Sequence, residues 1–187
     1  MQDRYREICE AFRWDVPERF NMGVACCRRW AGDRHRRALY WEDEGGATAA
    51  WTFRDVQQQA NRLSNALAAL GVKRGDRVAI ILPQRPETAV AHIAIYQMGA
   101  IAMPLSILFG PEALEYRLQD SEAVAALVDP VSLPNLARIR DRLPLLAHVI
   151  GVAGARESWA QPWEALLKKA SVRFTPADTL ASDPALL

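Results

Sequence analysis

Between residues 76 and 152, short and almost wholly apolar runs alternate with segments of helical periodicity, and this constrains the fold more than any other feature of the chain. Arg77–Leu82, Ala100–Leu105, Ala123–Val128 and His148–Val152 read as strands. Between them, Pro86–Met98 places Val90, Ile93, Ala94 and Gln97 at helical spacing and is closed by Gly99. Gly110-Pro111 opens a second helix, with Leu114, Leu118 and Tyr116 on its apolar side, and Leu133–Leu143 reads as a third. Strands separated by helices form βαβ units, whose strands run parallel with right-handed crossovers. Strands apolar on both faces suit a sheet covered on both sides. The expected fold is therefore α/β, a mainly parallel sheet flanked by helices.

The first 75 residues are less regular. Asn21–Ala31 has helical spacing, and Ala38–Trp41 and Ala49–Trp51 read as a hairpin joined through Asp43-Glu44-Gly45-Gly46. Thr52 has the place of an N-cap and Asp55 that of its capping-box partner. Phe53, Val56, Ala60, Leu63, Leu67 and Leu70 then form one apolar stripe that stops at Gly71. This divides the chain into residues 1–75, helices and a short hairpin packing on the core, and residues 76–187, a βαβ parallel-sheet subdomain. Ala185-Leu186-Leu187 resembles the opening of a further strand, so the chain reads as a piece of a longer protein.

Composition narrows the function classes. Of 187 residues half are apolar or aromatic, and 23 basic against 22 acidic residues leave a net charge of +1. Such a chain has no overall electrostatic reason to seek nucleic acid or an anionic membrane. It contains no apolar stretch near membrane-spanning length and no signal-like start, so a cytoplasmic protein without a membrane span is expected. Cys9, Cys26 and Cys27 lack metal-site spacing and are expected as buried or half-buried thiols; His35, His92 and His148 fall in no metal-binding spacing. Arg74-Gly75-Asp76 lies in a turn between a helix and a strand, and the Arg28–Arg37 cluster reads as a solvated loop. Neither a dinucleotide fingerprint nor a P-loop is present, and the turn after the first parallel strand, Pro83-Gln84-Arg85-Pro86-Glu87, has no glycine. No catalytic or metal-ligating residue is assigned.

The order of segments is more specific than any one of them. Trp51-Thr52-Phe53-Arg54-Asp55-Val56, Ala60–Leu67, Gly71–Ile80, Pro83–Glu87, Gln97–Leu105, Glu115–Ser121 and Ala126–Asp129 resemble, in order and spacing, the adenylate-forming (AMP-binding) enzymes. The resemblance is to the acetyl- and medium-chain acyl-CoA synthetase branch, and Phe20-Asn21 is similar to that branch too. It implies the N-terminal domain of that fold, cut before the ATP phosphate loop. It also implies a parent enzyme that activates a carboxylic acid as acyl-AMP and passes it to CoA, using ATP, CoA and Mg²⁺. The chain alone is expected to be inactive, with none of these bound tightly, and to self-associate through the face the truncation leaves bare. Phe109-Gly110 resembles a turn that packs against the adenine of CoA in that branch, which makes Phe109 and Gly110 the cofactor-binding candidates; Arg138 and Arg140 are candidates for the CoA phosphates. The alternatives are a fragment of an aryl or amino-acid activating enzyme and a non-catalytic binding module.

Overall fold

The computed structural model describes residues 3–187. Its centre is a five-stranded sheet built from β3 (Arg77–Ile81), β4 (Ile101–Pro104), β5 (Ala125–Val128), β6 (His148–Gly151) and β7 (Ala160–Pro162). The spatial order is β4-β3-β5-β6-β7, and every neighbouring pair is parallel. Register fixes which residues share a face. Val78, Ile80, Ala102, Ala125, Leu127 and Ile150 enter one core, and Ala79, Ile81, Met103, Ala126, Val128 and Val149 enter the other. This period of two is why the strands read as continuously apolar: both faces are buried.

The first face is covered by α3 (Phe53–Ala69), α4 (Pro86–Met98) and α7 (Trp163–Lys169), the second by α5 (Pro111–Asp120) and α6 (Leu133–Ala137). Thr52 caps α3 in a full capping box: its hydroxyl accepts from the Asp55 N–H at 3.1 Å, and its own N–H donates to the Asp55 carboxylate at 2.9 Å. The Thr52 hydroxyl also donates to the Asp55 carboxylate at 2.7 Å, and this bond, with that from the Thr52 N–H, holds the Asp55 carboxyl below its usual range. α4 packs between the sheet and α3, and none of its residues is exposed. A polar seam joins the two helices. Gln57 Nε2 donates to Asn61 Oδ1 (2.8 Å) and Gln97 Oε1 (2.9 Å), Gln97 Nε2 donates to Ser64 Oγ (2.7 Å), and Ser64 Oγ donates to the Ala94 carbonyl (3.0 Å). Gly99 ends α4 at φ 72°, the left-handed conformation expected of a C′ glycine.

Ahead of the sheet lie α1 (Arg4–Ala11), α2 (Met22–Cys26) and the antiparallel hairpin β1 (Arg37–Glu42) and β2 (Thr48–Thr52). The 21–31 helix is shorter than its spacing predicts, because Cys27 leaves helical geometry and a 3₁₀ turn follows. Gly23 and Cys27, four residues apart, face inward, and the approach is close: a Cβ on Gly23 would meet Gln97 at 2.8 Å. That rotation corrects the expectation for the cysteines. Cys26 is exposed, as is Cys9 on α1, which buries nothing; only Cys27 is in the core, where burial pushes its thiol up to about 12. The 133–143 helix likewise stops at Ala137 and continues as a 3₁₀ turn, and Tyr116, expected on the apolar side of α5, is exposed.

Residues 170–179 lie in no regular element, yet neighbouring side chains hold their backbone. Asn61 Nδ2 donates to Val172 O (2.7 Å), and Asn65 Nδ2 to Ser171 O (2.9 Å) and Arg173 O (2.8 Å). Arg62 binds Leu167 O (2.9 Å) and Ala170 O (2.8 Å), Arg28 binds Phe174 O (2.9 Å), and Asn21 binds Ala177 O (3.0 Å). This strap delivers the chain to the outer edge of β4, where Leu186 forms a parallel bridge with Ala102.

Candidate functional site

From the carboxyl end of β3 the chain leaves to α4 on one face of the sheet; from the end of the adjacent β4 it leaves to α5 on the other. In open α/β sheets such a divergence opens a crevice beyond the strand ends, where ligands bind. A cleft of about 500 Å³ lies there, between the β3–α4 and β4–α5 loops. Ile80, Leu82, Leu105 and Leu108 supply apolar walls, and Gln84, Thr88 and Ser106 supply polar groups. The loops are pinned. Thr88 Oγ1 donates to the Pro83 carbonyl at 2.6 Å, and Arg85 holds Glu87 through two bonds of 2.7 and 3.1 Å. At the foot of β5, Asp129 is buried and accepts the Ser132 N–H at 2.8 Å, while the Ser132 hydroxyl donates to the Ile81 carbonyl at 2.9 Å.

Phe109 and Gly110 end the β4–α5 loop that forms one side of the cleft. Phe109 is half-buried against the α5–α6 core, with the Arg117 guanidinium 4.2 Å from its ring centroid and its carbonyl accepting from Asn135 Nδ2 at 3.2 Å. Gly110 caps α5 in an extended conformation any residue can adopt, and a Cβ there would meet nothing within 4 Å. The space beside Gly110 itself is therefore open. Arg138 is exposed, whereas Arg140 is half-buried, 5.9 Å from the Trp159 ring and bonded to Leu143 O at 3.3 Å. Phe109 is thus joined to Arg117 and Asn135 rather than to either arginine candidate. Arg117 is the residue that sequence reasoning passed over; its only signal is eight positions of separation along a helix that begins at Pro111. Among the described residues no three His, Cys, Asp or Glu side chains cluster as metal ligands would. No helix of the described residues is long and apolar enough to cross a membrane.

Residues 27–187 match the family described as AMP-binding enzyme. The chain belongs to this family. AMP-binding relatives include an acetyl-coenzyme A synthetase of Syntrophus aciditrophicus, 30% identical over 92% of this chain and 29% of the relative's length. A 3-hydroxypropionyl-coenzyme A synthetase of Sulfurisphaera tokodaii is 39% identical over 59% of this chain and 17% of its own. Among solved structures, the anthranilate CoA ligase AuaEII in complex with anthranoyl-AMP superposes with a TM-score of 0.85 at 26% identity, over 92% of this chain and 32% of that one. Brucella canis acyl-CoA synthetase gives 0.83 at 25% identity, over 99% of this chain and 34% of that one. The chain thus spans about a third or less of the length of the AMP-binding relatives it matches. The parallel sheet flanked by helices is the architecture these ligases share with it.

Proposed function

We propose that this chain is the N-terminal portion of an ATP-dependent acyl-CoA synthetase and that Phe109 and Gly110 receive the adenine of CoA. In this reading residues 1–75 brace the core and residues 76–187 form the βαβ subdomain that carries the cleft. The parent's reaction has two steps. A carboxylate oxygen attacks the α-phosphorus of ATP and expels pyrophosphate, giving acyl-AMP. The CoA thiol then attacks the acyl carbon and expels AMP, losing its proton to a base. The first step exchanges a poor leaving group for a good one. It needs charge neutralisation at the phosphates, the role of Mg²⁺ and fixed donors. In this reading the residues of this chain supply scaffold and one wall for the nucleotide, and the parent works in the cytoplasm. Exposed apolar side chains such as Leu108, Val131 and Leu187 support self-association of the isolated chain.

The observation that carries the reading is an aromatic face beside an open glycine at the carboxyl end of a parallel strand. Saturation-transfer NMR with the 187-residue chain and CoA tests it. Weak transfer to the adenine protons is expected, lost in Phe109→Ala and kept in Tyr116→Ala. Adenine signals indifferent to Phe109→Ala would overturn the contact. Pyrophosphate release from ATP with short- or medium-chain acids should stay at background, and robust turnover by this chain would contradict its role as scaffold.

A further inference from the structure

Charge on this chain is distributed very unevenly. Residues 28–37 hold five arginines and one aspartate, a local +4, so with a total of +1 the rest of the chain sums to −3. All five arginines, Arg28, Arg29, Arg34, Arg36 and Arg37, are exposed, and none forms an ion pair among the described residues. The Arg36 and Arg29 guanidinium carbons stand 3.9 and 4.4 Å from the centroid of Trp30, whose ring is 6.5 Å from Phe53 at the start of α3. Two of the cations are thus held on a platform anchored to a core helix, which lowers the ordering cost of binding an anion. The one acid of the loop, Asp33, is engaged in accepting the His35 N–H at 2.9 Å. Arg28, through its bond to Phe174 O, brings Arg173 to the same cleft and extends the basic area.

We propose that this arginine-rich loop docks the protein on the surface of an anionic lipid bilayer. The six residues Gly32–Arg37 are all exposed, which offers a surface rather than a pocket for a small anion. Duplex nucleic acid is disfavoured because α2, with five residues, is too short to read a groove. Single strands are disfavoured because Trp30 is the one Phe, Trp or Tyr side chain in residues 28–37, too few for a platform on which successive bases stack. A bilayer requires no shape match, and each basic side chain near an anionic leaflet raises partitioning by about fivefold. The benefit of docking rests on the acyl-activating reading, since apolar carboxylic acids concentrate in membranes; the docking itself does not.

Co-sedimentation with vesicles tests the proposal. The chain is expected to pellet with phosphatidylcholine vesicles containing about a third phosphatidylglycerol, and not with phosphatidylcholine alone. Binding should disappear as salt rises from about 0.1 to about 1 M, where the screening length falls from about 10 to about 3 Å. Arg29→Glu with Arg36→Glu and Arg37→Glu should weaken partitioning at least about tenfold. Arg34→Glu with Arg37→Glu, which leaves the Trp30 stack untouched, should weaken it as well. Arg4→Glu with Arg6→Glu and Arg156→Glu makes the same change in net charge elsewhere and should bind nearly as wild type; circular dichroism checks that each variant is folded. Absence of binding to anionic vesicles at low salt, equal loss in the control triple, or tighter binding to a single-stranded RNA oligonucleotide would each overturn it. The vesicle result is read without CoA or ATP, so it stands or falls apart from the Phe109 contact.

Discussion

A methyl group on Gly151 would sit 2.1 Å from the Ala155 carbonyl oxygen, inside any permitted contact. The crowding arises because the chain doubles back just after β6 through Ala153 and Gly154, both at positive φ (53° and 81°), and returns Ala155 onto the strand end. Neither partner is the free end of a flexible side chain, so relief requires backbone movement. Gly151→Ala should therefore cost about 3 kcal/mol or more, the range of severe core overpacking. Gly110→Ala, where the new methyl meets open space and φ is −70°, should stay within about 0.5 kcal/mol. Urea denaturation of the two variants checks the contrast, and equal midpoints would mean that the Ala155 turn yields. The same contrast separates the two glycines in role: one is needed by the fold, the other leaves room beside Phe109.

At the scale of elements, the strap over residues 170–177 depends on a few side chains of α3 and the segment around α2. Removing Asn61 and Asn65 together leaves the Ser171, Val172 and Arg173 carbonyls without these donors. The double variant Asn61→Ala with Asn65→Ala should lose about 1–3 kcal/mol and become more susceptible to trypsin at Arg173. An unchanged cleavage rate there would show that packing, not these bonds, holds the segment. The sheet strands, the stripe of α3 and its cap were legible in the sequence because each is dictated locally, by period, by β-branched runs or by the Thr52–Asp55 spacing. The strap was not, because its side-chain partners lie 106 to 156 positions away and asparagines on a helix carry no mark of a distant carbonyl. β7 was missed for a related reason: Ala-Gln-Pro has no strand character of its own and is extended because it adds to β6. At the candidate site Phe109 was legible as an aromatic before a helix, while its cover by Arg117 required the turn of α5.

At the scale of the whole molecule, two cores share one sheet. Leu67, on α3, is buried in the first and Leu136, on α6, in the second, and both rest on strands whose side chains alternate between them. Loss of either core would strip one face of the same strands, so the two should not melt apart. Leu67→Ala and Leu136→Ala should each cost about 2–5 kcal/mol and lower the midpoint of a single transition. Two resolved transitions, seen by tryptophan fluorescence and circular dichroism, would show instead that one layer is independent. The strap has a further consequence. Its side-chain donors reach the stretch from Ala170 to Ala177 through carbonyl oxygens, a group every amino acid carries, proline included. The lock is blind to spelling: along this stretch the side chains that face water can be rewritten, whether by evolutionary drift or by an engineer installing an epitope, while the grip on the backbone stays the same.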